Sequence, residues 1–182
     1  MKKFSLIVAY TRNSLGIGFK NDLPWPSIIE DLRHFENTTT LTENPKLKNC
    51  VIMGRRTFES INKKPLKNRH NLVLTSNVDN IFDIDKLDTS IIICSSLEEA
   101  INHPICLISE KIFIVGGSNI YKEAMDHEFC DKLYITEVDK DFECDTFFPK
   151  IPNNFKVIEE KKIFNENIKA DLIFKTFQNI LS

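Results

Sequence analysis

Short, unbroken apolar runs recur along this chain of 182 residues, with helix-forming stretches between them. Runs that are apolar on both alternate faces suit strands covered from both sides, so the alternation predicts a mostly parallel sheet with helices on both faces. Residues 3–10 give the first strand, and a glycine-bearing loop over 11–26 leads to a helix. Strands follow at 48–54, 71–76, 90–94, 111–115 and 132–138, with helices near Arg55, at 96–102 from a Ser96 cap, and at 118–125. Residues 155–164 and 170–177 flank the polar turn Asn165-Glu166-Asn167 and predict a closing hairpin that adds an antiparallel edge. The connections at 77–90 and 139–154 are polar. No repeat, low-complexity stretch or interdomain linker interrupts 1–182, which reads as one α/β domain, long enough to bury a core without staples.

Composition removes several function classes. A formal net charge of −2, with lysines scattered among acids, gives no nucleic-acid or membrane surface. No apolar run approaches a bilayer span, and the first one is too short and lacks a cleavage site for a secretion signal. The five cysteines (Cys50, Cys94, Cys106, Cys130, Cys144) are odd in number, fit no metal-ligand spacing, and read as free thiols in a reducing compartment. The histidines stand apart. No metal site and a cytoplasmic location are the expectations.

The stretch from Asp22 to Phe35 concentrates the unusual residues. Pro24-Trp25-Pro26 forces extended backbone; Ser27 and Glu30 then form a capping-box pattern. Ile28, Leu32 and Phe35 make one apolar stripe on the helix that follows, and Asp31 projects within it. Such an acid either reaches water at the stripe's edge or is a desolvated carboxylate that recognises a ligand rich in N–H donors.

Gly16, Gly18, Gly54, Gly116 and Gly117 are the chain's only glycines, and all follow predicted strands at one end of a parallel sheet. They either mark turns or let backbone approach a flat or phosphorylated ligand at the strands' carboxyl ends. Gly116-Gly117 precedes a helix, whose free N–H groups suit a pyrophosphate. Arg55 and Arg56 open another helix, where cations oppose the dipole but fit an extra phosphate, pointing to NADPH more than NADH. Gly16-Ile17-Gly18 does not run into a helix, so the ordinary dinucleotide fingerprint is absent. Arg69, before a strand, is either a solvated surface residue or a bidentate carboxylate clamp.

Ile7-Val8-Ala9, Gly16-Ile17-Gly18, Leu23-Pro24-Trp25-Pro26, Val51-Ile52-Met53-Gly54-Arg55-Arg56-Thr57, Pro65-Leu66-Lys67-Asn68-Arg69, Ile114-Val115-Gly116-Gly117-Ser118, Tyr121 and Asp145-Thr146-Phe147-Phe148-Pro149 together resemble the signature blocks of dihydrofolate reductase, in that family's order and spacing. The resemblance implies an eight-stranded, mostly parallel twisted sheet with an antiparallel carboxy-terminal strand and flanking helices. It implies NADPH-dependent reduction of 7,8-dihydrofolate, with antifolates as inhibitors. By the same resemblance, Asp31, Thr136 and Trp25 form the catalytic group: the acid on the pterin, the hydroxyl on the acid, the indole on a nearby water. Ile7, Val8, Leu23, Leu32, Phe35, Ile61, Leu66 and Val115 line the substrate's rings, and Arg69 takes its glutamate carboxylate. Ala9, Ile17, Gly54, Arg55, Arg56, Thr57, Thr75, Ser76, Gly116, Gly117, Ser118 and Tyr121 serve the cofactor, with a cis peptide between the two glycines. In some protist members the domain precedes thymidylate synthase, so fusion to or association with that enzyme is a further expectation.

Several positions depart from the family's commonest pattern. Asn21 replaces a frequent glycine, which asparagine tolerates if φ is positive. Phe58 stands where Trp is usual. Thr75-Ser76 and Ser95-Ser96 occupy places where many relatives carry a base for the 2′-phosphate, leaving Arg55 and Arg56, with hydroxyl help, to select NADPH. A related pterin-type reductase and a non-catalytic nucleotide-binding module are the rival readings.

Overall fold

A computed structural model of the protein describes residues 2–76 and 88–181. Its elements, in chain order, are β1 (Phe4–Thr11), β2 (Gly16–Gly18), α1 (Ile29–Thr40), β3 (Asn49–Gly54), α2 (Arg55–Ser60), β4 (Arg69–Leu74), β5 (Ile91–Cys94), α3 (Leu97–Asn102), α4 (Pro104–Ile108), β6 (Ile112–Ile114), α5 (Ser118–Met125), β7 (Cys130–Val138), β8 (Thr146–Phe147), β9 (Phe155–Asn165) and β10 (Ala170–Asn179). Eight strands form one sheet in the order β5-β4-β3-β6-β1-β7-β10-β9, parallel from β5 to β7; β10 then runs antiparallel to β7 and pairs antiparallel with β9. The expected sheet and its closing hairpin are both present.

Burial explains the layering. Five successive residues of β3, Asn49–Met53, are buried, as a central parallel strand covered on both faces requires. On one face, Leu6, Ile52, Leu72 and Ile114 pack under Leu97 and Ile101 of α3, Cys106 of α4, and Tyr121 and Met125 of α5. On the other, Ile7, Val51, Met53, Val73 and Phe113 pack with Phe58 of α2, and Phe35 of α1 leans on them. Trp25 and Ile28 pack beside Val138 and Leu172 at the β7–β10 end of the sheet.

Local expectations fail in three places. Ile28, not Ser27, is the residue before α1, and no side chain caps the helix; Glu30 instead accepts a hydrogen bond from Asn165 Nδ2 at 2.8 Å. Burial of Ile28 at 2% exposure fixes the start of the helix, so a capping hydroxyl is not required. Gly16–Gly18 is a short strand paired with β8 and not an open loop. Helix α4 lies where the sequence reading placed nothing; Pro104 opens it and His103 Nδ1 accepts from the Ile105 amide. Most of the polar connection read at 77–90 lies outside the described residues.

Candidate active site

The carboxyl ends of β1, β3 and β6 meet at one edge, where the glycines gather. The Gly54 amide donates to Gly116 O at 2.7 Å, and the peptide between Gly116 and Gly117 is cis. Gly116 has φ of +123°, and a Cβ there would stand 3.3 Å from both Thr57 Oγ1 and Tyr121 Oη. A Cβ on Gly54 would meet Ile120 Cδ1 at 2.7 Å. Lack of side chains at these positions therefore keeps β3, α2 and α5 in contact at this edge.

Asp31 sits on the first turn of α1. Part of its surface is open, yet burial pushes its pKa above the usual carboxylate range, and a hydrogen bond from the Thr136 hydroxyl pulls it partly back. Thr136 is buried on β7. Tyr121, whose hydroxyl donates to Ile7 O at 2.7 Å, feels the Asp31 charge, so burial and that charge both hold its phenol protonated. Beside α1, the buried Trp25 leaves its Nε1 donor without a partner, alone in this among the buried side-chain nitrogens and oxygens of the described residues. A buried donor left empty is costly, so this indole points to a small polar partner or water.

At the far end of α1, Arg69 Nη1 donates to Thr39 Oγ1 at 2.7 Å and its Nε to Lys67 O at 2.9 Å. Its guanidinium lies 5.9 Å from the Phe35 ring centroid. Burial lowers the Arg69 pKa, against a raising influence from Glu36. Ile7, Phe35, Ile61, Leu66 and Val115 belong to one apolar cluster between Asp31 and this arginine. A flat ring system with N–H donors at one end and a carboxylate at the other matches that sequence of groups.

A family model described as dihydrofolate reductase matches residues 3–179. The chain belongs to the dihydrofolate reductase family. Similar proteins include dihydrofolate reductase of Aedes albopictus, 36% identical over 177 residues covering 94% of this chain and 92% of that one. The Drosophila melanogaster dihydrofolate reductase is 39% identical over 165 residues, 87% of this chain and 85% of its own. A bifunctional dihydrofolate reductase-thymidylate synthase of Daucus carota is 37% identical over 174 residues, which is 88% of this chain and 32% of the carrot protein. The family's members are oxidoreductases that reduce dihydrofolate, and this chain is such an enzyme.

Within that family frame, the expected site residues do not all fall together. Ile7, Phe35, Ile61, Leu66 and Val115 share one face of the sheet, and Gly54, Thr57, Gly116 and Gly117 gather at the edge above it, where Tyr121 reaches from the opposite core to Ile7 O and Gly116; Thr136 meets Asp31, and Arg69 meets Thr39 at the other end of α1. Leu23 and Leu32 are 44% and 48% exposed and pack into no core, so the apolar stripe read on α1 is broken at Leu32. Val8 departs from expectation: strand alternation turns its side chain into the opposite core, away from Ile7. Thr75 is buried, Ser76 is exposed, and the Ser95 hydroxyl is held by Glu99 Oε2 at 2.6 Å while Ser96 caps α3. The Ser95 hydroxyl proton is thus already committed to Glu99, whereas Ser96, which only accepts in the cap, keeps its O–H free to donate.

Ala9 packs beside Trp25, and Ile17 packs against the core under α5. Asn21 has φ of +64°, the backbone its position was expected to need. The Ser118 hydroxyl donates to Phe147 O at 2.6 Å, tying the start of α5 to β8. Thr39 and Glu59 went unread in the sequence. Both had a signal: Thr39 lies four residues after Phe35 and Glu59 four after Arg55, spacings that bring side chains together on a helix.

The Thr136 hydroxyl gives a direct test of the electrostatics. It favours the ionised form of Asp31, so Thr136→Val is expected to move the Asp31 limb of the kcat/KM pH profile to higher pH. A profile that keeps its midpoint, or moves to lower pH, contradicts the contact.

Proposed function

We propose that this edge is where 7,8-dihydrofolate and NADPH meet, with Asp31 gripping the pterin's amino group and ring N–H. The reading rests chiefly on one observation: a desolvated carboxylate steadied by Thr136, beside an indole donor with no partner in the protein. A ring bearing N–H donors and a fixed water would satisfy both groups at once. Leu23, Leu32, Phe35, Ile61 and Leu66 then enclose the rings, which accounts for two half-exposed leucines beside a cleft, and Arg69 holds the tail carboxylate. The Val8 main chain is its only part on that side.

NADPH fits the residues on the other side of the edge. Gly116 and Gly117, at the N-terminus of α5, leave room that a Cβ would take, and Thr57 and Ser118 add hydroxyls. Ala9 and Ile17 flank the nicotinamide end, and Arg55, Arg56, Thr75 and Ser76 the ribose phosphate. Bound there, the cofactor supplies the hydride that reaches pterin C6. The protein's part is to press the rings together, a proximity effect worth up to about 7–11 kcal/mol, and to keep bulk water out. Trp25 Nε1 orients the water from which pterin N5 takes its proton, and the Asp31 charge favours that transfer.

Loss of NADPH absorbance on adding dihydrofolate, blocked by methotrexate, tests the activity. Arg55→Gln with Arg56→Gln tests the cofactor half: the NADPH-to-NADH ratio of kcat/KM is expected to fall about 10-fold, and an unchanged ratio would place the phosphate contact elsewhere. Glu59 enters here too. Its Oε1 takes Arg55 Nη1 at 3.0 Å, both side chains being over a third exposed. A carboxylate so placed shares the guanidinium with any phosphate and repels it. Glu59→Gln is therefore expected to raise the same ratio about 3–10-fold, acting on NADPH alone; an equal change with both cofactors would contradict it.

Residues 1–182 make up one dihydrofolate reductase domain in this proposal. No helix among the described residues is long and apolar enough to cross a membrane, and we place the enzyme in the cytoplasm. The carrot relative's name couples this activity to thymidylate synthase; association of this chain with that enzyme is part of the same proposal.

A further inference from the structure

Strand β9 closes one side of the eight-stranded sheet, and among the described residues no strand or bridge pairs with its outer edge. Residues 156–162 and Phe164 are all exposed, including Val157, Ile158 and Phe164 at 48%, 58% and 56%. An open edge with a row of free N–H and C=O groups is a template for another strand, and proteins usually blunt it with charges or bulges. Here both devices are present, but the order of the charges reverses the effect of the first.

From Val157 to Phe164 the strand reads Val-Ile-Glu-Glu-Lys-Lys-Ile-Phe. The pattern is apolar pair, acid pair, base pair, apolar pair. A second β9 approaching in parallel register would set Glu on Glu and Lys on Lys, and like charges directly opposite repel. In an antiparallel copy related by a two-fold axis, paired side chains share a face, so the axis passes through one residue, which meets its own copy. Centred on Glu160, the pairing opposes Glu159 to Lys161 and Val157 to Ile163 on both sides of the axis, with Glu160 facing Glu160 and Ile158 facing Lys162. Centred on Lys161, it opposes Glu160 to Lys162 and Ile158 to Phe164, with Lys161 facing Lys161 and Glu159 facing Ile163. In either register the opposite-charge pairs outnumber the like-charge pair two to one, whereas a parallel in-register copy has only like-charge pairs.

Two features bear on strength. A bulge sets Ile158 between Val157, paired with Phe177, and Glu159, paired with Thr176, so the strand bends there and the regular outer ladder is short. Lys162 reaches Asp171 at 2.6 Å and Glu160 reaches Lys175 at 3.7 Å across the β10 side; the Lys162 and Glu160 side chains are more than half exposed and able to meet a copy. The contact is small, mixed in character and concentration-dependent, unlike the large apolar interface of an obligate dimer.

We propose that the protein self-associates through β9, two copies joining their sheets across a two-fold axis into one continuous sheet. The candidate active site lies at the carboxyl ends of β1, β3 and β6, so the pairing leaves it open, and the proposal does not depend on the assignments made there.

The test is mass by light scattering on the full chain over a concentration series. The wild type is expected to rise from 21.1 kDa toward twice that value, and added salt to reverse the rise. Glu159→Lys/Glu160→Lys makes the central four residues all basic, and Lys161→Glu/Lys162→Glu makes them all acidic. Each variant alone is expected to stay monomeric, its dissociation constant rising at least about 10-fold. An equimolar mixture of the two is expected to regain the dimer mass as a heterodimer. Retained dihydrofolate turnover shows that each variant is folded. A wild type that stays at monomer mass throughout overturns the proposal. So do variants that dimerise as the wild type does, or a mixture that stays monomeric, because either result puts any association on another surface.

Discussion

Replacing Asp31 with Asn is expected to lower kcat at neutral pH by about 10²–10⁴-fold, with NADPH affinity close to that of the wild type. The amide keeps the shape of the carboxylate but loses the charge that favours the protonated ring, and it presents N–H groups where the pterin presents its own. Cofactor titration and single-turnover rates on the same samples separate the two effects. Near-normal turnover at pH 7 would remove Asp31 from the chemistry. A second readout is stability. Burial raises the carboxyl pKa in the folded state above its unfolded value, so the folded form binds the proton more tightly. This group's contribution therefore favours folding below the unfolded pKa and is lost as pH rises through the folded one. The Asn variant has no such loss, and its Tm relative to wild type is expected to be higher at pH 7 than at acid pH. Sites that hold a desolvated charge for function often carry that kind of cost.

Replacing Arg69 with Leu is expected to raise KM for dihydrofolate about 10²-fold, the loss of a desolvated charge-assisted contact, with kcat within a few-fold of wild type. In the proposed pose Arg69 meets only the tail carboxylate, an interaction made equally in ground and transition states. Thr39 and Lys67 already orient its fork; lysine lacks the fork's geometry, so Arg69→Lys is expected to recover only part of the loss. If kcat falls as far as kcat/KM, Arg69 is positioning α1 through Thr39 and not clamping the substrate.

The parts of the fold that were legible in the sequence are those set by burial on both faces. The run Cys50-Val51-Ile52-Met53 cannot be a surface strand, and its neighbours β4 and β6, with β1 next to β6, carry largely the same signature. Local hydrogen-bonding patterns were a poorer guide. The Ser27/Glu30 capping box is plausible chemistry, but Ile28 drives into the β7–β10 side of the protein and starts the helix by packing. Helix α4 is only five residues long and its apolar residues read equally as a strand approach. At the candidate site, the acid in the α1 stripe had two readings. The structure gives a residue partly open at its surface with a carboxylate whose pKa burial nevertheless raises and the Thr136 hydroxyl, over a hundred residues away, pulls partly back; periodicity on one helix cannot specify that combination, because it depends on what the rest of the chain folds against the carboxylate. Val8 shows the complementary failure: adjacency to Ile7 in a motif says nothing of which face its side chain takes.

The link from Ser118 Oγ to Phe147 O joins two regions that a sequence diagram keeps apart. Phe147 pairs with Gly16, and the Phe148 amide donates to Leu15 O, so the first turn of α5 and the segment after β1 share an anchor on the strand between them. This tether runs through the Ser118 hydroxyl and the main-chain bonds of β8, without passing through the sheet. Ligands seated at opposite ends of the proposed cleft would then be linked through a span of only a few residues.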